Sequence, residues 1–495
     1  MPMEVEPAHV ASSAGALSSF EQRGIEPVPV AERTGRPLQL FWVWFAANIS
    51  ILGIPLGATL VALGLNFWQA IVVAVIGSFG SFAVVGAVSV AGRRGGAPSL
   101  TLSRAVFGVR GNILPTLVSL VSRWGWETVN TTTAAFALLS LSTLLFHTAP
   151  GAHDVPGLAI ACILIFVILT VAVSGMGHGF LVTVQKYATW VFGALNVFVA
   201  VFLVATVDWA AVTSTPAGST AAMIIGIGII AGGTGIGWAN SGADMSRYQA
   251  PAVRAGHLVV SAAAGAGIPL VLLIGLGGLL SAGDPSLATA GDPVAAIRAM
   301  LPEWVAVPYL VAAFGGLLLS NHLSVYSAGL TLLTLGIRIQ RVYAVVADVI
   351  VTTIGSIYFM LFASSFYGPF ITFISLLSVP ITAWVAVFLI DLVRRREYDE
   401  AGLMNLSRTS GYWYRNGVEW RALSSWLVGA IIGYLFTRAQ VTADDVWFTG
   451  AFYDTWVGQN GLGWVVAFLL AGSLYFVLSI ARGPASLRTT IGQGS

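Results

Sequence analysis

Long runs almost free of charge recur along the whole of this chain. Each is long enough to cross the roughly 30 Å hydrocarbon of a bilayer, which takes about 17–25 residues at 1.5 Å each. Inside lipid the backbone must satisfy its own hydrogen bonds, and runs of this length do so as helices rather than as the short strands of a barrel. Composition agrees: 57% of the 495 residues are hydrophobic and only 9% charged, against roughly 25% charged in a typical soluble domain. Twelve spans are predicted, the first six being Phe41–Ala62, Phe67–Ala91, Ile113–Leu145, Gly157–Gly177, Tyr187–Val207 and Ala221–Ser241. The second six are Gly256–Ala282, Trp304–Leu335, Val342–Leu361, Pro369–Ile390, Ala422–Thr437 and Gly461–Ala481.

Arginine falls unevenly between these spans. The even-numbered loops hold Arg93, Arg94, Arg104 and Arg110, then Arg247 and Arg254, then Arg338 and Arg341, then Arg394, Arg395, Arg396, Arg408, Arg415 and Arg421. The odd-numbered loops hold Arg298 and Arg438 beside Asp208, Asp284, Asp292, Asp444, Asp445 and Asp454. Basic residues collect on the cytoplasmic side, so the expectation is a multi-pass protein of the cytoplasmic (inner) membrane with both termini inside. Residues 1–36 are polar, without a basic segment leading into an apolar core, and are read as a flexible cytoplasmic tail rather than a signal peptide. The remaining expected divisions are a transport core over 37–393, a loop with the last two helices over 394–482, and a tail over 483–495. Cys162 is the only cysteine, so no intrachain disulfide or cysteine metal cluster can form.

Two spans contain helix breakers. "ANISILGIPLGA" (Ala47–Ala58) has Gly53, Pro55 and Gly57 in mid-run, and "GIIAGGTGIGWANSGADMSRY" (Gly228–Tyr248) carries Gly233, Gly235 and Gly237 before an Asp-x-x-Arg-Tyr cluster. They stand five helices apart. Transporters built from inverted repeats place Gly- or Pro-broken helices at corresponding positions, where unwound backbone meets substrate and ion. A five-plus-five inverted repeat with two added helices accounts for both breaks and for twelve spans. Close helix packing through the small-xxx-small pairs Gly228/Gly232 and Gly233/Gly237 is the competing reading of the second set, whereas Pro55 with its flanking glycines argues for a break in the first. "GIGIIA" (Gly226–Ala231) matches a dinucleotide pattern but follows no strand and lies within a membrane run, so it is set aside.

Polar residues inside the spans are few, and by default they face a cavity or a partner. The third span reads "LVSRWGWETVNTTTAAF": Arg123 and Glu127 stand at i and i+4, as do Trp126 and Asn130. Arg123 and Glu127 are either a structural ion pair or a coupling and gating pair. The eighth span holds Ser320, Asn321 and His322, where the histidine is either an interhelical hydrogen-bonding contact or a proton carrier. Asp348 sits near one end of the ninth span, Asp244 and Arg247 close the sixth as a local pair or loop anchor. Trp126, Asn130, Asn321 and the Thr234–Gly235 backbone together offer an aromatic face, amides that donate and accept, and open backbone. That set suits a planar heterocycle with several hydrogen-bonding edges.

"FWVWFAANISILGIPLGA", "APSLTLSRAVFGVRGNILP" followed by "GWETVN", "GWANSGADMSRY", "SNHLSVYSAGL" and "GYWYRNGVEWRAL" together resemble the purine-cytosine permease branch of the nucleobase-cation symporter family. The resemblance runs from about Gln39 to the last helix. It implies the five-plus-five inverted-repeat fold, alternating access, and uptake of cytosine, purines or related compounds with a cation. Substrate positions then fall on Trp126, Asn130, the Thr234–Trp238 region with Gly235, and Asn321. Members that use sodium place a hydroxyl pair on the eighth helix near the first break. Here the matching pair is Leu319-Ser320, one hydroxyl short, which favours a proton over sodium, with Glu127 and His322 as carriers. A hydantoin, allantoin or vitamin-like heterocycle is the nearest rival substrate.

Other classes fit poorly. A channel needs a continuous polar stripe, and the polar residues are sparse. An enzyme needs a nucleophile-base or metal constellation, and the six histidines show no ligand spacing. The expectation is therefore a transporter without catalytic residues, metal site or cofactor, working with lipid, a small nucleobase-like molecule and a coupling ion, and with no nucleic acid polymer.

Overall fold

The computed structural model of the protein describes residues 23–480 apart from 176–177, 291, 338, 364–365 and 442–443. The start of the expected N-terminal tail, the whole of the C-terminal one and Arg338 lie outside the described residues. The first expected span is two helices, α1 (Pro37–Asn48) and α2 (Gly53–Ala62), bent by 64°. The break falls between them at 49–52, just ahead of the residues expected to cause it. Pro55 is the third residue of α2, in the first turn, where backbone N–H groups have no intrahelical partner to lose. It begins the second helix rather than interrupting the first.

There follow α3 (Phe67–Gly95), α4 (Ser99–Phe107), α5 (Ile113–Phe146), α6 (Pro156–Gly175), α7 (His178–Ala205), α8 (Trp209–Ser214) and α9 (Thr220–Ala231). Beyond α9 the sixth span loosens into a wide turn at Gly232–Ile236 and a 3-10 turn at Ala239–Ser241. Thr234, at φ −129° and ψ −106°, has left the helical region altogether. The second half runs α10 (Ala255–Gly283), α11 (Pro293–Ala299), α12 (Glu303–Thr334), α13 (Arg341–Leu361), α14 (Tyr367–Arg394), α15 (Glu400–Met404) and α16 (Trp420–Leu435). A hairpin of β1 (Arg438–Gln440) and β2 (Val446–Thr449), then α17 (Trp456–Gln459) and α18 (Gly463–Ile480), complete the described chain.

Ten helices among the described residues are long and apolar enough to cross a membrane, and α1 with α2 makes an eleventh span. The remaining expected span, α16, has 16 residues, about 24 Å, a little short of the hydrocarbon thickness. The packing is reciprocal. α10 lies on α3, α12 on α5 and α13 on α6, while α1 and α2 pack on α10 as α9 and its loosened end pack on α3. Each of these contacts joins a span of the first five to one of the next five. This is the inverted-repeat architecture expected from the two breaks, and α14, α16 and α18 pack together beside it.

Backbone-to-backbone contact holds the first broken helix. A Cβ on Gly57 would sit 1.9 Å from the Ile274 carbonyl oxygen, and one on Gly277 would sit 2.0 Å from that of Ile54. Gly57, expected as part of the break, instead lets α2 pack closely against α10. Of the tail expected over 1–36, residues 23–36 are packed against the bundle. Arg33 is buried and donates to Val28 O at 2.6 Å and to Glu400 at 3.2 Å, and Gly35 bridges to Gln249. Arg247 donates to Gly24 O and to the Tyr326 hydroxyl, both at 2.7 Å. Asp244 accepts from Ser99 N at 2.7 Å and Ser327 Oγ at 2.6 Å, and burial pushes its carboxyl above the ordinary range. These two residues anchor the end of the broken sixth span to α4, α12 and the N-terminal segment. In the late "GYWYRNGVEWRAL" motif, Tyr414 Oη donates to Ala105 O, to which Arg395 at the end of α14 also donates, so the loop before α16 is tied to α4.

Arg104 makes the strongest test of these ties. Its buried guanidinium donates to Thr334 O at 2.6 Å and Leu403 O at 2.7 Å, answering the carbonyl end of α12, and burial lowers its pKa to about 10 without discharging it at neutral pH. Arg104→Met should lower the unfolding free energy by on the order of 3 kcal/mol, measured by thermal unfolding of the purified protein in detergent. Arg104→Lys should recover part of that loss, since one ammonium cannot span both carbonyls in the same geometry.

Candidate functional site

A cavity of about 40 Å³ lies where the two breaks face each other. The first break contributes Asn48, Ser50 and Gly53, the second Gly233, Thr234 and Trp238, α5 contributes Trp126 and Asn130, and α12 contributes Ser320. Four elements from both repeats therefore meet at one point, and the helices around them fix it.

Side chains answer several backbone groups at and around the two breaks. Ser81 of α3 accepts from Gly235 N at 3.1 Å and meets Thr234 Oγ1 at 3.2 Å, while Thr234 Oγ1 donates to Ile230 O at 2.6 Å. At the first break Asn196 donates to Ile49 O at 3.3 Å and Asn48 Nδ2 to Trp44 O at 2.8 Å. Arg123 reaches the second break by donating to Gly237 O, with its guanidinium 4.5 Å from the centre of the Trp238 ring. Such a cation over an indole face is attractive in itself.

That placement corrects the ion-pair reading of Arg123 and Glu127. The guanidinium engages the carbonyl freed by the break and the Trp238 ring, and its hydrogen bond goes to Gly237. Glu127 turns instead to α12 and accepts from Ser324 Oγ at 2.9 Å. A carbonyl with no helical partner is a hydrogen-bond acceptor that the buried cation can satisfy while a carboxylate finds a hydroxyl.

Trp126 lines the cavity and packs edge-on against Phe370 of α14, at 4.9 Å between ring centres. Asn130 Nδ2 donates to Asn321 Oδ1 at 3.4 Å, and Asn321 Nδ2 donates to Thr170 Oγ1 at 3.3 Å. This directional chain leaves Asn130 Oδ1 buried without a donor. An orphaned buried acceptor is costly unless something else supplies an N–H or O–H.

Of the residues singled out from the sequence, Trp126, Asn130, Thr234, Trp238, Ser320, Gly53 and Gly233 line the cavity. Asn321 stands behind Asn130 as its support, and Gly235 is held against Ser81. Gly237 packs under Trp126, where an added Cβ would meet Nε1 at 2.9 Å. Pro55 is outside the lining. His322 is buried, with Nδ1 2.7 Å from Leu318 O of its own helix, and it too is outside. Asn48, Ser50, Leu270 and Phe370 line the cavity without having been singled out. For Asn48 and Ser50 a signal existed: both are polar residues at the start of the breaker-rich run. Phe370 carried none, since an aromatic in an apolar helix looks like any other.

A second cavity of about 260 Å³ lies between α9, α14 and the hairpin, with Ser375, Ser378, Arg438 and Trp464 in its wall, and Gly233 borders both.

Residues 27–462 match the family described as a permease for cytosine/purines, uracil, thiamine and allantoin. YxlA of Bacillus subtilis (strain 168), whose name assigns it provisionally to the purine-cytosine permeases, is 25% identical over 93% of this chain and 96% of its own. The hydantoin permease of Microbacterium maritypicum is 26% identical over 89% of this chain and 88% of its own. Among solved structures, the nucleobase-cation-symport-1 transporter Mhp1 in a closed conformation with bromovinylhydantoin superposes with a TM-score of 0.72 at 21% identity, covering 94% of this chain and 96% of that one. Its inward-facing form gives 0.67 over the same shares.

The two glycines at the second break should behave differently. A Cβ on Gly235 would lie 2.4 Å from the Ser81 backbone, whereas one on Gly233 meets Leu56 at an ordinary 3.5 Å. Gly235→Ala should cost about 1–3 kcal/mol of stability and Gly233→Ala within about 0.5 kcal/mol, compared by thermal unfolding of the two purified variants.

Proposed function

The chain belongs to the family of permeases for cytosine/purines, uracil, thiamine and allantoin, and from that premise we propose how its cavity recognises and moves a substrate. It is a secondary transporter of nucleobase-type molecules, and a permease of this family needs no catalytic residue. The substrate is a nucleobase such as cytosine or a purine, which lies against the face of Trp126. The observation that carries this reading is the donorless Oδ1 of Asn130, which lines the same cavity as Trp126 one turn away on α5. A base offers a flat face to the indole and an N–H in the plane of its edge, at right angles to the stacking direction. Ser320 and the opened backbone at Gly233 and Thr234 hold its other edges, and Trp238 closes the far side with Arg123 behind it.

Transport is driven by a cation gradient, and the ion is a proton. Ser320 supplies a single hydroxyl where the family's sodium users have two, Leu319 standing in the second place. Of the two carriers, Glu127 is favoured over His322, whose ring is tied to its own helix by Leu318 O. The arginine-rich loops, with the segment 23–36 packed among them, face the cytoplasm across the inner membrane. The larger cavity beside Gly233 then opens on the outer side and gives the route in. The hydantoin permease relative favours one second reading, a hydantoin-like ring in the same seat, because such a ring shares the flat face and edge N–H groups.

Purified protein in proteoliposomes should accumulate radiolabelled cytosine or hypoxanthine under an inward pH gradient, unchanged by replacing sodium with choline and abolished by a protonophore. Trp126→Ala should weaken apparent affinity by about 10-fold or more, and Asn130→Ala comparably. Accumulation that follows sodium would overturn the proton, competition by hydantoins but not by nucleobases would select the second substrate, and no accumulation of any of them under either gradient would overturn the transporter mechanism described.

A further inference from the structure

Two carboxylic acids meet between α5 and α13. Glu127 and Asp348 are both essentially inaccessible, at 0% and 1% exposed. Each has one oxygen satisfied: Glu127 Oε1 accepts from Ser324 Oγ at 2.9 Å, and Asp348 Oδ1 accepts from Trp124 Nε1 at 2.8 Å. The other two oxygens, Glu127 Oε2 and Asp348 Oδ2, have no protein donor, and Trp124, three residues before Glu127 on the same face of α5, holds Asp348 of α13 beside it. Two carboxylates cannot share a hydrogen bond, because neither has a hydrogen to give. With one proton between them the contact is attractive, and without it like charges face each other in a medium of low dielectric.

The charge balance says the same. Arg123 is the cation that faces the pair, from one turn earlier on α5, and it contributes one positive charge against two acids. From α12 the pair is faced by Ser324, which does not titrate, while Asp244 acts on Arg123 from beyond the break and is already satisfied by Ser99 and Ser327. One shared proton makes Arg123, Glu127 and Asp348 neutral together. A structural ion pair needs only one acid for one guanidinium, and the second acid has a use as a place to keep a proton.

We propose that Glu127 and Asp348 form a single proton-binding site whose occupancy is transmitted to the substrate cavity by Arg123, a proposal that rests on the proton-driven transport set out above. When the site opens to water, one proton leaves the pair to solvent and two carboxylates remain, with a net charge of −1 over the three residues. The guanidinium is then drawn from Gly237 O and the Trp238 ring toward the bare acids. That withdraws the hydrogen bond closing the second break and the cation behind the indole at the cavity wall. Binding of a proton restores both, so proton and substrate favour the same closed arrangement.

Asp348→Asn and Glu127→Gln test this in the full chain reconstituted in proteoliposomes. Each amide keeps an oxygen for Trp124 or Ser324 and puts N–H where the proton was, so each mimics the protonated site. Exchange of radiolabelled cytosine should survive in both, concentrative uptake under a pH gradient should fall at least 10-fold, and cytosine-dependent acidification of the lumen, read with a trapped pH dye, should vanish. Trp124→Phe is the companion variant: it removes a donor from the Asp348 carboxylate without changing charge, and should move the pH midpoint of uptake upward by roughly 0.5–1 unit. Asp348→Asn that still drives cytosine uphill and acidifies the lumen as the parent does overturns the proposal, and so does an unshifted midpoint in Trp124→Phe. If the parent itself moves cytosine without moving protons, the ion assigned above fails first and takes this site with it.

Discussion

Within a bilayer a peptide carbonyl or N–H that leaves its helix has no water to turn to, and the whole centre of this protein is organised around that constraint. Two helices are opened at 49–52 and at Thr234, and three of the backbone groups there are met by side chains from neighbouring intact helices. Ser81 answers Gly235 N, Asn196 answers Ile49 O, and Arg123 answers Gly237 O. These partners are polar residues within membrane helices, Ser81 and Arg123 buried and Asn196 half-buried, which would be liabilities anywhere else. The breaks and the polar residues therefore explain one another, and the cavity is the space they enclose.

Much of this was legible in the sequence, for identifiable reasons. The length of the charge-free runs gave the helices, because hydrocarbon thickness admits few alternatives. The five-span interval between "GIPLGA" and "AGGTGIG" gave the inverted repeat, and the pairing of α3 with α10, α5 with α12 and α6 with α13 is its physical counterpart. Less legible was the exact seat of the first break. Proline in a sequence advertises interruption, but it is tolerated in a helix's first turn, and Pro55 stands there.

Pairings between distant residues were the least legible part. Arg123 and Glu127 share a helix face by spacing, and spacing alone makes them partners, whereas Gly237 and Ser324 compete for them from 114 and 197 residues away. Asp348 looked like an interfacial residue because it lies two turns into α13, and only the position of α13 against α5 brings it to Glu127. Asn48 was hidden for a different reason. It belongs to the breaker-rich stretch but is not itself a breaker, so attention fell on the glycines beside it.

The polar lining of the central cavity, with Asn48, Ser50, Asn130, Thr234 and Ser320 in its wall, bears on the selectivity proposed for it. On the proposed reading, a molecule seated there exchanges its water for the protein's own polar groups. Discrimination then depends less on how many contacts a ligand makes than on whether it leaves a buried group unanswered. A ring lacking the N–H that Asn130 Oδ1 requires would be shed of water and given nothing in return, and that mismatch is the kind that rejects close isosteres most sharply. With the proposed seat, the cavity would act as a dehydration filter, reading hydrogen-bond polarity before it reads shape.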